Sequence, residues 1–591
     1  MNYEHIGRMI SDKVRTYDNQ TALRFKHENE WRSLTYRSFG NKIHQLAKAM
    51  ITAGVQRGEN VGIYSANRYE WAVTDFACIL AGAVSVPIYS TNTKEQAEFI
   101  IRDAGIKLIF VGNSFQYENI TAILSDFAAL KIISYDPEIE IDTRVAHYFE
   151  DFSSTPPAPE AEQVLEQRQN DIKKEDTTTI IYTSGTTGNP KGVMLTHANL
   201  FHQLDCLDAN FDVSAKDTSL CFLPLSHVYE RAWSYYVYFK GAVHTYLEDP
   251  KKVIDTLQKV KPTAMVSVPR LYEKIYAAVM NSQENASFVK KMLFKNAIKT
   301  GDTYYNRIKH NEPISLSLRL KHKLFDKLIL SKIRGVVGGD KNFFSAGGAP
   351  LEQSIEEFFF SCGLLVCQGY GLTETSPMIS YNTPRSFRFG TVGKPVPNCE
   401  VRIAEDGEVQ VKGPQVMKGY YNNPEKTAED IVDGWFKTGD IGEFDEDGFL
   451  KITDRIKDLI ITSGGKNIAP QKIETYVGKD FFIEQIVSIG EKRKFISALV
   501  VPSFDALETW AKEKGIEYSD MEDLIKHPKV IQLYRDRIDH HSRNLARYET
   551  IKKFRLLSKP FSVEGGEITP TLKLKRKAIN EKYKRLVDEM Y

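Results

Sequence analysis

Residues 182–192 read YTSGTTGNPKG. Three glycines (Gly185, Gly188, Gly192), four hydroxyls (Thr183, Ser184, Thr186, Thr187) and Lys191 fall within eleven residues. Glycines let a backbone turn tightly and point its amides at an anion, and the hydroxyls and lysine add further donors. The preceding TTTIIY (177–182) is β-branched and aromatic, which predicts a strand. A Walker loop ends in GK[ST]. Here Lys191 is followed by Gly192 and Val193, so no hydroxyl sits beside it to hold magnesium. The stretch predicts a phosphate-binding loop that takes its metal and nucleoside contacts from elsewhere in the chain.

The surrounding sequence alternates helix and strand. IRDAGIKLIFVGN (101–113) predicts a helix end, a stop at Gly105 and an apolar strand. VIDTLQKVKPTAMVSVPRLYEKI (253–275) predicts helix, the strand TAMVSVP and helix. Such alternation indicates a parallel α/β sheet. EVRIAEDGEVQVKG (400–413) instead alternates with period two around Asp406-Gly407, a hairpin signal. SSTPPAPEA (153–161) reads as a surface loop.

A chain of 591 residues exceeds one core, so two to four domains are expected. The net charge of +1 gives no bulk field favouring nucleic acid or a membrane as the main partner. Six scattered cysteines without a CxxC pair suit neither zinc nor a disulfide framework, and indicate reduced thiols in the cytoplasm. MNYEHIGRMISDKV has no signal-peptide core, and the apolar run 76–89 is too short to span a bilayer, which needs about 20 residues. Segment 281–340 carries 12 Lys/Arg against 5 Asp/Glu with helical apolar spacing. It reads either as a basic amphipathic face for anionic membranes or acyl carriers, or as solvated helices packed on a core.

Downstream segments offer what the loop lacks. FFSAGGAPL (343–351) holds a glycine turn able to lie against a base. CQGYGLTET (367–375) presents Tyr370 for stacking, Thr373 as a hydroxyl donor and Glu374 as a carboxylate for a divalent ion. DGWFKTGDIGEFDEDGFLKITDRIKD (433–458) offers Asp440 and Arg455 for ribose and phosphate. In this order, from about residue 180 to 577, these segments resemble the adenylate-forming superfamily of acyl-CoA synthetases, luciferases and adenylation domains. DGWFKTGDIG…DGFLKITDRIK also resembles the signature of fatty acyl-CoA synthetases, with Asp454 where Gly is more usual.

The resemblance implies a large N-terminal domain (1–456) of stacked α/β sheets with a β-ribbon subdomain. It also implies a small mobile α+β domain (458–591) swinging about Lys457. It implies ATP, Mg²⁺ and coenzyme A: a carboxylate attacks the α-phosphate to give acyl-AMP and pyrophosphate, then a thiol displaces AMP. The 182–192 loop would hold the β- and γ-phosphates, Glu374 the metal, and Thr373 the α-phosphate. Asp440 and Arg455 would hold the ribose; Gly347, Gly348, Ala349 and Tyr370 would enclose adenine. Lys573, in GEITPTLKLKRK (566–577), aligns with the catalytic lysine, although Leu572 replaces the usual Gly and Lys575 is a neighbouring candidate. ITSGGKNIAPQKIE (461–474), with Gly464 and Gly465, resembles the loop presented during thioester formation. His227 would lie near the substrate carboxylate, or serve structure alone. Trp233 would gate an acyl channel, or pack the core.

Seventy-five residues separate Pro269 from Ser345, an insertion resembling that of long-chain fatty acyl-CoA synthetases. The implied substrate is a long-chain fatty acid, with a homodimer and peripheral membrane contact admitted. The alternatives are a fatty acyl-AMP ligase of the same superfamily and an inactive nucleotide-binding regulator.

Overall fold

A computed structural model describes residues 3–28, 30–183, 190–284, 286–463, 466–543, 545–569 and 573–591. At its centre lies an eight-stranded sheet. From one edge its strands run Gly419–Tyr420, Lys191–Thr196, Thr177–Thr183, Val84–Tyr89, Asn60–Ser65, Leu108–Val111, Lys131–Ser134 and Ala146–Tyr148. From Thr177–Thr183 onward the pairs are parallel. Their βαβ crossovers cover both faces, so Asn60–Ser65 is buried at every position. The Lys94–Ala104 crossover helix starts with a capping box between Thr93 and Gln96 and stops at left-handed Gly105 (φ 62°).

A second, five-stranded sheet orders Ala264–Met265, Phe343–Ala346, Cys367–Gly371, Met378–Tyr381 and Lys394–Pro395. Its first strand is shorter than the predicted TAMVSVP. The chain must leave the sheet to start the Pro269–Glu284 helix, whose first residue lacks an amide hydrogen and fits only a helix start. The hairpin at Asp406-Gly407 joins Glu400–Ile403 to Glu408–Lys412. It continues into a ribbon where Trp435–Phe444 pairs with Leu450–Arg455.

Within 281–340, helices Phe288–Lys309 and Leu316–Phe325 form a hairpin in which Tyr304 stacks on His322 at 3.8 Å. Gly301 lets the first helix approach closely: a Cβ there would lie 2.0 Å from the Ser361 carbonyl oxygen. After residue 457 the chain has its own cores. They surround the sheet Ile483–Ile489, Ile496–Pro502, Ile551–Leu556 with helices such as Pro470–Gly478 and Pro528–His541. The architecture is mixed α/β, a large N-terminal body with a smaller C-terminal unit, as expected.

Candidate active site

The phosphate stretch closes a hairpin rather than opening a helix. Thr177–Thr183 pairs antiparallel with Lys191–Thr196, and Thr183 faces Lys191 in the register. Ser184, Gly185, Thr186, Thr187 and Gly188 lie outside the described residues. At the exit, the Lys191 ammonium sits 3.7 Å from the Asp430 carboxylate and 4.3 Å over the Tyr420 ring. The Tyr420 hydroxyl lies 3.1 Å from both Glu374 Oε1 and Asp430 Oδ2. Burial, then these two acids, push the phenol far above its usual pKa, so it stays a donor. One tyrosine thereby ties the loop lysine to the acid expected to hold metal. Glu374 sits on the short turn Thr373–Thr375, where the Met417 amide donates to its carbonyl (2.9 Å) and Thr373 is buried.

Asp440 is 3% exposed. Its Oδ1 accepts from Arg455 Nε at 2.7 Å, and its Oδ2 accepts from the Tyr370 hydroxyl at 2.7 Å. The ribbon explains the pairing, because Asp440 and Arg455 are register partners on adjacent strands. Asp440 raises the Arg455 pKa, and burial followed by Asp440 raises that of Tyr370. Gly347 is buried and its amide donates to Ser267 O (3.1 Å), while Gly348 and Ala349 are exposed.

Lys573 completes the ring. Its side chain is exposed. The surrounding protein, then Arg455, lower its pKa to about 8; Asp440, Glu374 and Asp458 oppose them. The same setting, with Lys573 as the second cause, lowers His227 to about 4, so the imidazole is neutral at physiological pH. His227 Nδ1 also caps the Val228–Phe239 helix by accepting from the Tyr229 amide (3.2 Å). Lys573 thus lies within electrostatic reach of Arg455, Asp440, Glu374 and His227, and Lys191 is linked to Glu374 through Tyr420.

Lys457 is exposed on the turn Ile456–Asp458. Gly464 and Gly465 lie outside the described residues. The body and the C-terminal unit are joined by ion pairs. Arg270 and Lys274 reach Glu484 at 3.3 and 2.9 Å, Lys479 reaches Glu352 at 3.3 Å, and Arg537 reaches Glu284 at 3.1 Å. Beside the turn, Asp454 is buried and its Oδ2 has no hydrogen-bond partner among the described residues; burial raises its pKa to about 6.

Trp233 is 1% exposed, donates to Ser219 Oγ (2.9 Å) and packs on Phe343 and Tyr236, which is the arrangement of a core residue. The sequence reading missed Tyr420 and Asp430. It also missed Arg231, whose buried guanidinium joins Asp75, Tyr235, Ser85 and Thr179 and so braces the strand leading into the phosphate loop. GYY and EKTAED carry no spacing that would single out the first two, and Arg231 gains its role only through residues far away in the chain.

The Glu374 carboxylate offers hard oxygen donors and is linked through Tyr420 to Lys191. That donor set fits Mg²⁺, which binds through one or two carboxylates together with substrate phosphates.

Residues 10–421 match the family described as AMP-binding enzyme, and residues 457–591 match the AMP-binding enzyme C-terminal domain. Long-chain-fatty-acid–CoA ligase FadD15 of Mycobacterium bovis is 35% identical over 98% of this chain and 98% of its own. Long chain acyl-CoA synthetase 6, peroxisomal, of Arabidopsis thaliana is 34% identical over 95% of this chain and 82% of its own. Among solved structures, the adenylation domain of a carboxylate reductase from Mycobacterium chelonae has a TM-score of 0.76 at 20% identity. That match covers 100% of this chain and 92% of the other. The chain belongs to the AMP-binding enzyme family.

Proposed function

We propose that the protein joins a long-chain fatty acid to coenzyme A at the expense of ATP. In the first half-reaction a carboxylate oxygen of the acid attacks the α-phosphorus, and pyrophosphate leaves. In the second, the coenzyme A sulfur attacks the acyl carbonyl, the bond to AMP breaks, and the thiol proton passes to solvent. The observation that carries this reading is the grouping of Lys573 within electrostatic reach of Arg455, Asp440 and Glu374, with neutral His227 also beside Lys573. The acid class is supported by the long-chain ligases to which the chain is similar along nearly its whole length.

In this reading residues 1–456 form the adenylating body and 458–591 the lid, hinged at Lys457. Lys191 and the loop 183–188 hold the β- and γ-phosphates. Thr373 donates to the α-phosphate, and Asp440 accepts from the ribose hydroxyls beside Arg455. Gly347, Gly348, Ala349 and Tyr370 bound the adenine. Mg²⁺ on Glu374 neutralises phosphate charge when bound. Lys573 places one positive charge where the transferring oxygens become more negative, and a flexible lysine stem suits that reach. Neutral His227 donates or accepts a hydrogen bond at the carboxylate without adding charge. Gly464 and Gly465 approach the pantetheine arm after the lid turns about Lys457. The six cysteines are free, which supports a reducing, cytoplasmic setting.

The test is product analysis with palmitate, ATP, Mg²⁺ and coenzyme A. The expected products are palmitoyl-CoA, AMP and pyrophosphate in equal amounts. Acyl-AMP that accumulates without thioester would identify a fatty acyl-AMP ligase instead, and no pyrophosphate at all would identify a nucleotide-binding regulator.

A further inference from the structure

We propose that the helical hairpin spanning residues 288–328 docks the protein on the surface of an anionic lipid bilayer. Among the described residues, eighteen large hydrophobic side chains are exposed, and nine of them fall in this one segment. Leu316, Leu320, Leu324 and Leu328 recur every four residues, the spacing that aligns side chains along one helix face. Phe288 opens the other helix 81% exposed, and Leu316 is 73% exposed. Soluble proteins rarely leave such a concentration of apolar surface to water without a use for it.

The opposite side of the hairpin is anchored. Ala297, Thr300 and Gly301 are buried, and the Arg334 guanidinium clamps the Asp326 carboxylate (2.7 Å) and the Cys362 carbonyl (2.8 Å). The leucines therefore project from an anchored element.

Charge decides what covers them. Residues 288–328 hold ten Lys/Arg against three Asp/Glu (Asp302, Glu312, Asp326). Lys321, Lys323 and Lys327 alternate with the leucine stripe, and all three are exposed. A second copy of the chain would set this positive surface against itself, which is unfavourable. A layer of anionic headgroups attracts each cation while the acyl region receives the leucines and Phe288, the pattern of an interfacial helix. No helix among the described residues is long and apolar enough to cross a membrane, so contact at the surface is the arrangement that fits. Docking is an addition to the fatty-acid ligase reading, and its benefit, access to lipid-borne acyl chains, rests on that reading; the surface does not.

The experiment is co-sedimentation of the full chain with vesicles of phosphatidylcholine alone, or with phosphatidylglycerol added at about two to one. Leu320→Gln/Leu324→Gln and Lys321→Gln/Lys323→Gln are compared with the unaltered protein. Thioester formation from the shortest acid accepted in solution serves as the check on folding. The expected result is binding to the anionic vesicles alone, weakened by salt and about tenfold weaker for each double variant, with solution activity unchanged. Binding with no activity in the unaltered protein would support docking while overturning the ligase reading. The proposal is overturned if the unaltered protein ignores anionic vesicles or if the variants bind as well as it does. It is equally overturned if the leucine changes abolish self-association or capture of an acidic carrier protein and leave vesicle binding intact.

Discussion

The two sides of the candidate site are built by different means. On the body side, Asp440 is locked between Arg455 and Tyr370 by strand register, and Glu374 is held by Tyr420. On the C-terminal side, Lys573 follows the residues 570–572, which lie outside the description, and it acts on its neighbours through space while open to solvent. Groups that hold a nucleotide through both half-reactions profit from preorganisation. A charge needed in only one of them profits from an attachment that can leave. In the proposed lid arrangement, the ion pairs between the units, centred on Glu484 and Glu352, would set how firmly the lid stays in place.

The largest effect is expected on the fixed side. Asp440→Ala removes a buried carboxylate that balances the partly exposed Arg455 and accepts from the Tyr370 hydroxyl. Steady-state kinetics should show kcat/KM for ATP at least about 100-fold lower; a change under about threefold would show that the pair is structural only. On the moving side, Lys457→Pro fixes a backbone angle at the exposed turn. It should slow overall thioester formation by about tenfold while acyl-AMP formation persists. Both half-reactions at normal speed would remove Lys457 as the hinge.

Asp454 lies where the two sides meet. Burial raises its pKa from 3.8 to about 6, so the fold favours the protonated acid, and stability falls as pH rises from about 4 through 6. Asp454→Asn should therefore stabilise the protein at pH 7.5 by on the order of 2 kcal/mol, with the gain vanishing near pH 4. Thermal melts across this range check the sign, and a gain that grows towards low pH would refute it. The smallest effect is expected for Glu484→Ala. Freed from Arg270 and Lys274, the lid should turn more readily, changing the ratio of the two half-reaction rates by a few-fold, less so at high salt. An unchanged ratio at low salt would mean that these pairs do not set the lid's position.

Much of the scaffold was legible because it obeys local rules. The strand before the phosphate loop, the helix closed by Gly105 and the hairpin at Asp406-Gly407 each follow from a few neighbouring residues. Glu374 and Asp440 were singled out together through their order along the chain, and the structure brings both within electrostatic reach of Lys573. Tyr420 was not, since its meaning lies in reaching Glu374, 46 residues away, and Asp430. Nor was the brace of Arg231 on Asp75, 156 residues away. Helical spacing in 316–328 predicts which leucines share a face but not whether protein covers that face, so only the fold separates a packed helix from an exposed one.

The most direct test isolates the first half-reaction: exchange of labelled pyrophosphate into ATP, with palmitate present and coenzyme A absent. The candidate site with a departing lysine predicts palmitate-dependent exchange that falls at least about 100-fold in Lys573→Ala and is unaffected in Lys575→Ala, while transfer from supplied acyl-AMP to coenzyme A survives in both. Normal exchange in Lys573→Ala, or loss of the transfer step along with it, would contradict it.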